Sequence, residues 1–233
     1  MLNLNNVTLV CVATTNVQPS LKALKHSLNL VSFKETLFFT NENIPCPSNI
    51  RLKNIKKFNS IDEWSFFIIY KLHEFIKTEY ILLIHYDGYI VNPHSWKDVF
   101  LNYDYIGAPW PVVNDEITYK DIEGNTIRVG NSVSLRSKRI LELPSKLNLK
   151  WEPFHGFYNE DGFLCCKNKI ELEKNGIKFA DIEVAKYFSH ETMIPEIKGI
   201  KPFVFHKFFG TNRVYKNFIP LHKRLLNKIK KLI

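Results

Sequence analysis

The clearest pattern along the chain is the near-continuous apolar run Val7 to Ala13 (VTLVCVA). A run of this kind reads as a strand covered on both faces. Thr14, Thr15 and Asn16 end it, and a helix is predicted to open near Pro19, with Leu21, Leu24 and Leu28 along one face. Thr36 to Thr40 (TLFFT) reads as the next strand. The chain therefore begins β-α-β, which favours a parallel sheet. Ser60 and Glu63 have the spacing of a capping box. Behind them Trp64, Ile68, Leu72, Phe75 and Ile76 recur at helical spacing, and a core face is the reading adopted for them. Thr78 to Ile84 (TEYILLI) is a third buried strand. It runs directly into His85-Tyr86-Asp87-Gly88.

The pattern loosens beyond this point. Asp104 to Trp110 reads as a short strand ending in a Pro-broken turn, and Thr118 to Val129 as a hairpin or loop excursion. Gly130 to Ser137 leads into a helix over Lys138 to Leu143, stopped by Pro144. Phe163, Cys166 and Ile170 suggest another helix, closed by Asn175-Gly176. Phe179 to Phe188 is ambiguous, and Lys201 to Phe209 is an aromatic strand or loop around His206. No internal repeat interrupts the pattern. The fold class expected is α/β with a mostly parallel sheet, a single domain over residues 1–215 and a helix over 216–233.

Composition narrows the function classes. A formal net charge of +9 is compatible with nucleic acid, an anionic membrane or a phosphorylated small molecule as partner. No helix-turn-helix, RNP-like or zinc pattern supports nucleic acid, and none is expected as a partner. The tail alternates Phe218, Ile219, Leu221, Leu225, Leu226, Ile229, Leu232 and Ile233 with Lys and Arg. Such a helix either lies on an anionic membrane or packs on the domain with its lysines in water. Of the four cysteines, Cys11 reads as a buried apolar residue, and the adjacent Cys165 and Cys166 suit neither a zinc site nor a mutual disulfide. With no basic n-region before the first strand and no apolar run near the ~20 residues of a membrane span, a cytoplasmic protein is expected, with reduced thiols and at most peripheral membrane contact.

In open α/β sheets ligands bind beyond the carboxyl ends of the strands, and Asp87 stands there. A carboxylate so placed can hold a divalent metal and, through it, a diphosphate. Gly88 would let backbone approach a ligand closely. The competing reading is an ordinary Asp-Gly turn. Thr14 and Thr15, after the first strand, are donor-side candidates that equally suit a turn.

The string Asp87-Gly88-Tyr89, Val91-Asn92-Pro93, Trp96 and Tyr103-Asp104-Tyr105-Ile106-Gly107-Ala108-Pro109-Trp110 resembles a family of largely uncharacterised, glycosyltransferase-like domains from bacterial and viral polysaccharide gene sets. The opening strand, Ser134-Leu135-Arg136-Ser137, Glu160-Asp161 and Pro202-Phe203-Val204-Phe205-His206 extend the likeness to about Phe209. The resemblance implies a GT-A fold (the nucleotide-diphospho-sugar transferase fold), a nucleotide-sugar donor and a glycan or lipid-linked acceptor. It also implies a metal, Mn2+ or Mg2+, at an acidic strand-end motif. Here the usual Asp-x-Asp is His85-Tyr86-Asp87, so Asp87 alone matches, with His206 as a nitrogen ligand. Imidazole and carboxylate together suit Mn2+. Where the family has Asn-Gly-Gly-Phe before Ser-Leu-Arg-Ser, this chain has Gly130-Asn131-Ser132-Val133, and Asn131 and Ser132 become donor-side candidates. Asp161 is the expected catalytic base with Glu160 orienting the acceptor, or the reverse. The two acids also suit a helix N-terminus. Trp110 and His155 are the acceptor-side candidates, Trp110 either stacking on a sugar or sitting in the core. A domain that keeps the fold and binds sugar without turnover is the alternative function.

Overall fold

A computed structural model describes residues 1–222. Its frame is a six-stranded sheet in the order β3-β2-β1-β4-β6-β5. The strands are β1 (Leu2–Val12), β2 (Val31–Thr40), β3 (Arg51–Asn54), β4 (Tyr80–Ile84), β5 (Tyr105–Pro109) and β6 (Val129–Ser137). The first three and β4 run parallel, whereas β6 is antiparallel to both β4 and β5. The mostly parallel sheet expected from the β-α-β opening is present.

Period-two alternation explains how the sheet is covered. Leu9 and Cys11 of β1 enter one core with Val17, Leu21 and Leu24 of helix α1 (Val17–Leu28). Val10 and Val12 enter a second core, with Trp64 and Ile68 of α2 (Ile61–Tyr70), on the opposite face. A third core gathers Tyr105, Trp110, Phe163 and Cys165 beyond β5. Ser60 caps α2 by accepting from Glu63 N at 3.1 Å, as its spacing predicts. Glu63 returns its bond to the N–H of Asn59, at 2.9 Å.

Several expectations need correction. Gly130 to Ser137 does lead into the helix, but as the strand β6, wedged between β4 and β5, which the sequence pattern did not assign. Pro144 does not stop the helix that follows: α3 spans Lys138–Lys146 with Pro144 inside it. Lacking an N–H, Pro144 cannot donate to the Ile140 carbonyl, a loss confined to one helical bond, and its own carbonyl accepts from Leu149 N at 3.0 Å as the helix closes. The helix expected through Ile76 breaks at Lys71 into a 3-10 turn, Leu72–Phe75. The helix after Asn159 is composite: α4 (Glu160–Gly162), a π turn (Phe163–Lys167) and α5 (Lys169–Lys174). The ambiguous stretch before Phe188 holds α6 (Ile182–Phe188), followed by the two-stranded pair β7 (Ser189–His190) and β8 (Val204–Phe205). Residues 223–233 of the expected basic helix lie outside the described residues. Just before them Phe218 stacks on Tyr89, ring centroids 5.1 Å apart.

β5 and β6 meet at a bulge. Ile106 faces Leu135 and Ala108 faces Gly130, so β6 carries extra residues between these pairs. Within the bulge Asn131 takes φ 100°, tolerated by a residue whose short side chain folds back: its Oδ1 accepts from Val133 N at 3.2 Å. Two glycines permit this crossing. A Cβ on Gly107 would lie 1.6 Å from the Gly130 carbonyl oxygen, and one on Gly130 would enter the Trp110 ring. Gly107→Ala is expected to destabilise the protein by about 3 kcal/mol or more, measured by urea unfolding; a change near zero would show that β5 and β6 do not pack this closely.

Candidate functional site

A cavity of about 470 Å³ opens at the carboxyl ends of β1 and β4, where the chain leaves β1 for one side of the sheet and β4 lies on the other. This switch point is where open α/β sheets receive ligands. Val12 to Thr15 form one wall, His85 and Tyr86 another, with Ser132 and His206 opposite. Thr14 is buried and its hydroxyl accepts from Phe58 N at 3.2 Å, while Thr15 is exposed. Sequence reasoning missed the remaining wall, Phe58 to Ile61 at the N-terminus of α2. The capping box marked that helix start, but not that it faces the end of β1. Trp64 forms part of the lining, held by Nε1–H donating to Val12 O at 3.0 Å.

His85 and Gly88 pair across a tight turn, His85 N donating to Gly88 O at 2.7 Å. Asp87 and Gly88 do not line the cavity. A Cβ on Gly88 would meet Val133 and the Phe205 carbonyl, at 2.5 and 2.8 Å, so this glycine serves close packing of protein on protein. Asp87 Oδ1 lies 3.9 Å from His206 Nε2, and the imidazole of His206 stacks on that of His85. Asn131 is buried behind the wall, with Nδ2 unpartnered. His85 is held neutral, first by burial and then by the positive charges of His206 and Arg136.

The resemblance read in the sequence implies a metal. Among the described residues no group of three or more His, Cys, Asp or Glu is placed to hold one. The pair Asp87 and His206 does fit two positions of an ion: ligands about 2.1 Å from a common ion stand about 3 Å apart when adjacent, so a sub-ångström closure suffices. The donor diphosphate and water would have to fill the rest.

A second cavity, about 300 Å³, is lined by Trp110, Tyr119, Phe154, His155, Asp161, Glu191 and Lys207 among others. The two acceptor-side candidates and the expected base are thus brought together. Trp110 is buried, stacked on Tyr119 at 4.5 Å with Gly130 against its benzo ring, so its faces are occupied by protein. His155 stands exposed at the tip of a turn, φ 49°, closed by Phe154 and Phe157. Burial, then the charges of Glu160 and Glu191, push the Asp161 carboxyl up to about 7. The π turn that begins two residues later is closed by Asn168 N donating to Phe163 O at 3.0 Å.

Glu160 points the other way. Its Oε1 accepts from Arg136 Nη2 at 2.7 Å, and both side chains are shut from water. Arg136 also donates from Nε to Ser134 Oγ at 2.8 Å. Glu191 and Lys207 were not anticipated. Glu191 Oε1 lies 2.5 Å from Lys207 Nζ and 3.3 Å from His206 Nδ1, so the two cavities meet at this group.

Comparison with known proteins agrees with this architecture. Residues 48–206 match the family described as "Protein of unknown function (DUF5672)". This chain belongs to that family. No protein of curated function matches it. Among solved structures, the galactosyltransferase LgtC in complex with donor and acceptor sugar analogues aligns with a TM-score of 0.56 at 12% identity, covering 97% of this chain and 96% of that one. An active-site mutant of LgtC gives 0.52 at 11%, covering 97% and 95%. At such identity the likeness shows the fold: the sheet and its helices are those of a GT-A glycosyltransferase.

Two expectations follow from the buried charges. Arg136→Met leaves Glu160 ionised without a partner and should cost about 3–5 kcal/mol, while Arg136→Met with Glu160→Leu should recover most of it. A chemical-denaturation double-mutant cycle measures this, and additive losses would disprove the coupling. The second concerns pH. Asp161 in the unfolded chain ionises near 3.8 and in the fold near 7. Between those values the folded state keeps a proton that the unfolded state has released, so stability falls as pH rises. Glu191, held at about 2, adds stability that is lost only below its ordinary 4.5, outside most of this window. Thermal midpoints of wild type and Asp161→Asn across the window should diverge, the variant losing the downward slope; parallel profiles would refute the raised carboxyl.

Proposed function

We propose that this protein is a glycosyltransferase moving a sugar from a nucleotide-sugar to a glycan or lipid-linked acceptor in cell-surface polysaccharide synthesis. The observation that carries the reading is the pairing of two cavities on a GT-A frame, one at the switch point and one holding a carboxyl of near-neutral pKa. Thr14, Thr15 and Ser132 line the donor cavity, where Phe58 and Trp64 offer aromatic surface to a nucleotide base. Asn131 supports Ser132 by holding the bulge. Asp87 and His206 would hold Mn2+ or Mg2+, which when bound supplies positive charge against the donor diphosphate.

In the transfer, Asp161 takes the proton of the acceptor hydroxyl as its oxygen forms a bond to the anomeric carbon. The bond from that carbon to the diphosphate oxygen breaks, and the electron pair leaves with the nucleoside diphosphate. A base near neutrality is about half ionised at physiological pH, the condition under which proton transfer is most effective. Glu160 acts from beneath, its charge spent on Arg136, and fixes the start of α4 that carries Asp161. His155 and the edge of Trp110 border the acceptor.

The residues 223–233 that carry much of the tail's basic charge lie outside the described residues. Lys22, Lys25, His26 and Lys216 surround a separate cavity of about 490 Å³, which supports peripheral contact with an anionic membrane at its cytoplasmic face. No helix among the described residues is long and apolar enough to cross a membrane. A second reading, sugar-nucleotide binding without turnover, draws on His85, which replaces an acid with a neutral ring.

A thermal-shift panel of UDP-, GDP-, CMP- and dTDP-sugars with and without Mn2+ separates these readings. One donor should stabilise the wild type by about 2.7 kcal/mol at hundredfold excess over Kd, depend on the metal, and fail with Asp87→Ala. Asp161→Asn should keep the donor shift and lose turnover by about 10²–10⁴. Binding without turnover in wild type, whatever the acceptor, favours the second reading, and no shift with any donor rejects both.

A further inference from the structure

The transferase reading gives no role to Glu191, yet this carboxylate stands at the junction of the two cavities. It follows β7 by one residue and its side chain is 9% exposed. Its carboxylate is flanked by two basic side chains, His206 and Lys207. On one side His206 Nδ1 is shut from water without a hydrogen bond of good geometry, and Glu191 Oε1 lies 3.3 Å from it. A small rotation of either group closes that bond. On the other side Lys207 Nζ lies 2.5 Å from the same oxygen. The Lys207 backbone sits in the left-handed region, φ 66°, while its N–H donates to Asp87 O at 2.7 Å. A lysine gains nothing intrinsically from that conformation; here it accompanies the turn of the side chain back to Glu191 while the backbone grips Asp87.

We infer that Glu191 is a positioning residue for both halves of the site. Through Nδ1 it fixes the His206 imidazole with Nε2 facing Asp87, and through Nζ it holds Lys207 at the wall of the second cavity. The physical basis is the two-ended character of imidazole. In the neutral ring one nitrogen carries the proton and the other a lone pair, and a hydrogen bond at one end decides which. An anion at Nδ1 places the proton there and leaves the Nε2 lone pair free to face Asp87 and a shared cation. A carboxylate behind a histidine ligand also raises the basicity of the ligating nitrogen. The same oxygen that orients His206 pairs with Lys207, so displacement of one cavity wall is felt at the other.

The part of this inference that concerns a cation rests on the transferase reading; the tautomer does not. The test uses both. Nitrogen-15 spectra of metal-free protein at alkaline pH should show His206 protonated at Nδ1 in the wild type. Glu191→Ala should move the proton to Nε2, the form free imidazole prefers, and Glu191→Gln, which keeps an acceptor oxygen, should restore Nδ1–H. Calorimetric titration with Mn2+ alone should then give 10- to 100-fold weaker affinity for Glu191→Ala, with Glu191→Gln between it and wild type. A wild type protonated at Nε2 overturns the inference without recourse to any variant, and so does a Glu191→Ala spectrum unchanged from wild type. If the tautomer switches but no form binds Mn2+, the positioning role stands and the metal part of the transferase reading falls.

Discussion

The site depends on one buried ion pair. Arg136 reaches from β6 to Glu160 on α4, with both side chains removed from water. Taking two charges out of solvent is costly, and geometry alone decides whether the fold recovers that cost. Here the guanidinium also bonds Ser134, and its Nη2 reaches the Ser132 carbonyl at 3.5 Å, so the cation is tied to the bulge of β6 on one side and to α4 on the other. Ser132 lines the first cavity, and Asp161, the neighbour of Glu160, lines the second. A single Arg–Glu contact therefore sets the spacing between the two walls.

The same economy governs the charges that remain. Glu160 is neutralised by Arg136, so Asp161, next to it in sequence, feels a carboxylate whose field is only partly cancelled. Burial and that neighbour raise its proton affinity. Glu191, facing the same cavity, carries the opposite shift because His206 and Lys207 surround it. Two acids in one cavity are thus driven apart, one toward neutrality and one toward permanent ionisation. Such separation is how a site assigns proton transfer to one group and fixed charge to another. The first cavity is different in kind. Its strand-end histidine, His85, is neutral, so no acid of the strand-end motif lines that wall.

What could be read from the sequence follows from how local each feature is. β1, β2 and β4 were legible because parallel central strands are apolar on both faces and need no partner to be recognised. β6 was not, although Val133 and Leu135 alternate with Ser134 and Arg136. The bulge at Asn131 breaks the period, and an arginine at a fully buried position reads as exposure until Glu160 is known to meet it. Pro144 misled for the converse reason: a rule about helix interiors was applied near a helix end. Among the candidate residues, Thr14 and Thr15, just after β1, and Ser132, inside β6, fall on the first cavity, whereas Asp87 and Gly88, just after β4, do not line it. Trp110, His155 and Asp161 converge on the second, though far apart in sequence. Glu191 and the wall from Phe58 to Ile61 had no local signal, since their partners come from segments distant in the chain.

The departures of this sequence from the pattern it resembles fall where they change chemistry and spare the backbone. In the pattern this sequence resembles, two glycines stand before Ser-Leu-Arg-Ser, and here either they are replaced or the loop is one residue shorter; the φ of 100° at Asn131 is one that glycine adopts freely. Asparagine can hold it because Oδ1 accepts from Val133 N. Its amide lies buried behind the wall with Nδ2 unpartnered, beside a serine hydroxyl in the lining. A buried donor without an acceptor is a cost that a ligand oxygen or an ordered water can remove. His85 is the parallel case on β4: the strand end and the turn to Gly88 are kept, and its own Nε2 is likewise buried and unpartnered. Two unsatisfied polar atoms, Asn131 Nδ2 behind the wall and His85 Nε2 in it, leave that side of the first cavity with hydrogen-bonding capacity that the protein itself does not use.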